Sequence, residues 1–129
     1  MSGNPLAAAA GLKSLELLRQ PGAYEDLKNI GDTLIHGISE RFQSRGLQHQ
    51  IVGEPMLFDV VFSDSPVSNY RDVLAADVEA NTLYNDVLRQ NGIFKAPGKM
   101  YPSLALSKED IEKTLQAVEL AAEAVAKSR

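Results

Sequence analysis

The sequence predicts an α+β fold: a small, antiparallel-rich sheet of three to four strands covered by helices, preceded by one long helix. Three observations carry this. Apolar residues recur at helical steps over four stretches, short β-branched and aromatic runs stand between them, and Pro- or Gly-containing breaks separate the two kinds of segment. A chain of 129 residues suits one compact unit and is too short for two full domains.

Asn4 and Pro5 form an N-cap and first helical position, and the alanines with Leu12, Leu15 and Leu18 carry a helix to about Arg19. Gln20-Pro21-Gly22 stops it. From Ala23 the set Leu27, Ile30, Leu34, Ile38 and Phe42 marks a second amphipathic helix ending at Gly46. Gln50-Ile51-Val52 and Met56 to Phe62 read as adjacent strands around a Gly53-Glu54-Pro55 break, with Phe58, Val60 and Phe62 on the face turned to the core. After Ser63 to Pro66 the chain returns to helix, starting between Tyr70 and Glu79 and stopping near Asn91-Gly92. Gly92-Ile93-Phe94 and Ser103 to Leu106 are expected to supply two further strands around an Ala96 to Lys99 loop. Ser107 and Asp110 then cap a last helix striped by Ile111, Leu115, Val118, Ala122 and Val125.

Composition excludes several function classes. A formal charge of -4 and a pI near 5.1 give no general attraction to nucleic acid or anionic lipid. The absence of cysteine removes disulfides, thiolate nucleophiles and sulfur-ligated zinc, and makes the cytoplasm the expected compartment. No apolar run approaches the roughly 20 residues of a membrane span.

Catalytic motifs are equally sparse. Gly92 to Gly98-Lys99 is one residue too long for a phosphate loop, and Met100 stands where a hydroxyl should hold magnesium. His36 and His49 lack metal-ligand spacing, and Asp32 and Glu40 at four-residue steps around His36 read as a solvated helix face. Glu25-Asp26 and Glu109-Asp110 sit in first helical turns, where the macrodipole explains them. No serine stands in a GxSxG elbow. Ser2-Gly3-Asn4-Pro5 is left: a glycine beside a capped helix start, read first as an ordinary N-cap and second as an anion site.

The string SGNPLAAAAGLKSLELL at residues 2–18 resembles the SGNPLAxAAGLATLELL segment of class III pyridoxal-phosphate (PLP) aminotransferases, in particular their glutamate-1-semialdehyde 2,1-aminomutase branch. The likeness continues through Pro21 to Tyr24, Gly53 to Phe62, Ser63-Asp64, Asn91 to Phe94 with Ala96-Pro97, and Ser103 to Ser107 before Glu109-Asp110-Ile111. Gly53-Glu54-Pro55-Met56 and Lys99-Met100-Tyr101 depart from the branch's usual loops, which leaves the substrate open.

The resemblance implies the carboxyl-terminal third of a dimeric fold type I enzyme, present as a truncated product, fragment or split gene. Residues 1–20 would be the helix that joins the large domain, and residues 21–129 the small α+β domain. In the family the cofactor is a Schiff base on a lysine of the large domain, which also supplies its stacking aromatic residue and pyridinium-paired Asp. The resemblance places all three upstream of Met1. Ser2, Gly3 and Asn4 flank the family's phosphate-contacting segment and are the cofactor-binding residues it implies, with no catalytic residue and no metal ligand. The expectation is a chain that holds no PLP stably and is inactive alone, and whose partners are itself, the large domain or a full-length relative. The alternative is a non-catalytic interaction module. Ala7, Ala8 and Gly11 beside Leu12, Leu15 and Leu18 form the face expected to mediate association.

Overall fold

The computed structural model describes residues 3–129. Helix α1 spans Pro5–Leu18 and helix α2 Ala23–Gln43, followed by strands β1 (Gln50–Glu54) and β2 (Leu57–Val61). Helices α3 (Tyr70–Leu74), α4 (Val78–Gln90) and α5 (Lys108–Lys127) complete the order.

Four of the five helices begin at a side-chain cap, and α2 follows Gly22 at φ 84 with none. Asn4 accepts the Leu6 N–H at 2.9 Å, with Pro5 at the first helical position needing no partner. Ser107 and Asp110 close a full capping box on α5, and Asn69 and Asp72 close another on α3. The helix expected to start between Tyr70 and Glu79 is α4, which Asp77 starts, with the short α3 standing ahead of it. The Asp77 side chain accepts the Ala80 N–H at 2.9 Å, while its own N–H donates to the Phe62 carbonyl at the end of β2.

β1 and β2 pair antiparallel, Gln50 opposite Val61 through Glu54 opposite Leu57. Gly53 at φ 115 allows the tight return, since a Cβ there would stand 2.4 Å from the Leu57 carbonyl oxygen. Gly31 on α2 has a similar role: the Pro55 carbonyl oxygen passes 1.9 Å from where its Cβ would be, so only glycine lets the hairpin loop rest on this helix.

The expected sheet of three to four strands is reduced to two among the described residues. Residues 92–94 form a loop and residues 103–106 a turn. Met100 is the remnant of a third strand: it exchanges two backbone hydrogen bonds with Phe58, at 2.7 and 3.3 Å. Pro97 and Pro102 bracket this contact, and proline cannot donate to a ladder, so the pairing ends after one residue.

One core joins the elements from α2 to α5. Ile38 and Phe42, Phe58, Val60 and Phe62, Tyr84 and Leu88, and Val118 and Val125 are all buried in it. Phe42 stacks on Phe62 at 5.1 Å, and the Tyr84 ring meets both edge-on at 5.6 and 5.7 Å. Glu119 on α5 binds Arg45 at 2.5 Å and Arg41 at 3.4 Å, tying α5 to the end of α2. Helix α1 differs: it buries no residue, and Leu12 and Leu15 are 65% and 51% exposed.

Candidate functional site

The sequence singles out the start of α1. Ser2 lies outside the described residues. Gly3 takes φ 88, and Asn4 caps the helix; both are exposed. Asn4 takes the Leu6 N–H with its side chain and the Ala8 N–H with its carbonyl, and Pro5 has no N–H. The Leu6 and Ala8 N–H groups are thus engaged and Pro5 has none, and no charged side chain stands at Gly3, Asn4 or Pro5.

The histidines stay apart from any metal or acid–base partner set. Asp32 pairs with Lys28 at 2.5 Å, His36 is exposed, and His49 sits edge-on to Phe42 with Nδ1 3.0 Å from the Leu47 carbonyl oxygen. No group of three His, Cys, Asp or Glu residues able to hold a metal occurs among the described residues.

A second cluster forms where β2, α4 and the 95–99 loop meet, and sequence reasoning missed it. Asp59 comes from the middle of β2, Tyr84 and Asn85 from α4, and Lys95 from the loop. Lys95 Nζ donates to the Ala96 carbonyl at 2.8 Å and the Pro97 carbonyl at 3.1 Å, and lies 5.8 Å from the Tyr84 ring centroid. Asn85 Nδ2 donates to the same Pro97 carbonyl at 3.1 Å, fastening the loop to α4. The Tyr84 hydroxyl and Asn85 Oδ1 are buried without a protein partner.

Burial perturbs all three titratable groups. It raises the Asp59 carboxyl above the usual carboxylate range, against the Val60 N–H it accepts and the charges of Lys95 and Lys99. Burial lowers the Lys95 ammonium, and Asp59 partly offsets this. Burial also pushes the Tyr84 phenol up, with the Asp59 charge adding to the shift. Lys95 lines two cavities of about 240 and 230 Å³. Two of its three donors go to carbonyls of its own loop, so the cluster helps to fasten the loop over the core. One signal in the sequence pointed here: Asp59 interrupts an otherwise apolar run from Met56 to Phe62.

A third feature is a cleft of about 670 Å³ between the end of α1, the start of α2 and residues 102–105. Leu17, Leu18, Leu27 and Leu104 give it apolar walls. It has the apolar character of a docking or ligand surface but no convergent set of charged groups.

Comparison with solved structures places this architecture among transaminases. An omega-transaminase from Sphaerobacter thermophilus superposes with a TM-score of 0.82 over 95% of this chain at 24% identity. A transaminase solved with PLP bound superposes with a TM-score of 0.76 over 97% at 25% identity. In both, the matched part is 28% of the other chain.

Among curated sequences, glutamate-1-semialdehyde 2,1-aminomutase 2 of Brevibacillus brevis is 36% identical over 120 residues. That match covers 91% of this chain and 28% of the aminomutase, so the chain spans little more than a quarter of that relative's length. The resemblance read from the SGNP segment onward thus extends through nearly the whole sequence. No family model matches the chain.

Proposed function

We propose that this chain is the carboxyl-terminal lobe of a class III PLP-dependent aminotransferase or aminomutase, of the glutamate-1-semialdehyde 2,1-aminomutase-like branch. The parent reaction is amino-group transfer, and PLP is the cofactor of the assembled enzyme, where it supplies an electron sink for that transfer. The observation that carries the reading is the 36% identity to the Brevibacillus aminomutase over 120 residues. Residues 1–20 act as the joining helix and residues 21–129 as the small domain, whose part is to close over the active site and shape substrate access. Ser2, Gly3 and Asn4 contribute to the cofactor phosphate beside residues of a larger body, with Asn4 also serving as the N-cap of α1.

The chain by itself does not turn over. The amine that the cofactor needs must be desolvated, oriented and free. Of the seven lysines, Lys13, Lys28 and Lys127 pair with carboxylates on exposed helix faces and Lys95 donates to two carbonyls of its loop, while the reading places the cofactor lysine in the large domain.

A chimera tests this reading. Residues 1–129 replace the matching segment of the Brevibacillus aminomutase, and the product is examined for folding, cofactor absorbance and turnover. The expected result is a folded protein that keeps a stable cofactor band and measurable amino-group transfer. A folded chimera that takes up no cofactor would contradict the assignment.

The second reading, a non-catalytic module that binds itself or a full-length relative, is favoured by one observation: α1 presents its leucines to solvent.

A further inference from the structure

We draw no further inference here: the strongest candidate, the uncovered apolar face of α1 with the cleft it shares with residues 102–105, is an unpartnered surface, and nothing in the structure shows what covers it.

Discussion

Phe58, Asp59 and Phe62 set the energetics of the strand that runs through the core. Phe58 and Phe62 are each 1% exposed, so Phe58→Ala and Phe62→Ala are each expected to cost about 3–5 kcal/mol in denaturant unfolding. Small, equal losses would mean that neither ring is held as described. This face was legible in advance, because strand alternation sends residues 58, 60 and 62 to one side. Alternation does not explain Val61, which is also buried and shows that the opposite face is partly covered.

Asp59 gives a pH test with a definite sign. Burial lifts its folded carboxyl above the ordinary value of 3.8, so the folded chain holds this proton to higher pH than the unfolded chain does. Its contribution to stability is complete below that value and is lost as pH rises through the folded value. Asp59→Asn, which mimics the protonated form, is therefore expected to raise the denaturant midpoint more at neutral pH than below pH 3.8. An equal change at both would show that Asp59 is not buried in its charged form. Asp110 has the opposite sign: its Ser107 hydrogen bonds hold its carboxyl below the usual range, and that support fades in acid.

Among the elements, α1 stands apart. Isolated helices of its length are marginal in water, and its 14 residues bury nothing in the lobe. Removing residues 1–20 is expected to leave a folded remainder with a cooperative urea transition, its stability compared with the full chain under conditions where neither associates. The same exposed leucines should draw chains together. Sedimentation at micromolar concentration is expected to show a species heavier than 14.0 kDa, with Leu12→Lys and Leu15→Lys returning it to monomer. A monomer in both cases would remove the case for association through α1.

Helix starts and stops could be read because Asn4-Pro5, Pro21-Gly22 and Ser107 with Asp110 are local signals. Strands at residues 92–94 and 103–106 failed to form because short apolar runs do not reveal whether a ladder partner is within reach, and Pro97 and Pro102 cut the one available pairing. Asp77 as a second helix start was visible only as one Asp among other helix-compatible residues. Its bond to the Phe62 carbonyl is a long-range contact that local pattern does not contain.

At the scale of the whole molecule, two findings point the same way. The lobe has a complete core of its own, yet it superposes on 28% of the Sphaerobacter transaminase and leaves α1 and the 670 Å³ cleft uncovered. The resemblance was legible because the SGNP helix is distinctive along its length. The Asp59–Lys95 cluster was not, since its residues lie 36 positions apart and meet only when the 95–99 loop folds over β2. Under the proposed function the chain contributes a lobe and does not build a cofactor site alone. Titrating the purified chain with PLP while following absorbance tests it most directly. The expected result is no saturable band at one cofactor per chain, only weak adducts spread over exposed lysines after borohydride reduction. A saturable one-to-one band, abolished by substituting a single lysine, would contradict it.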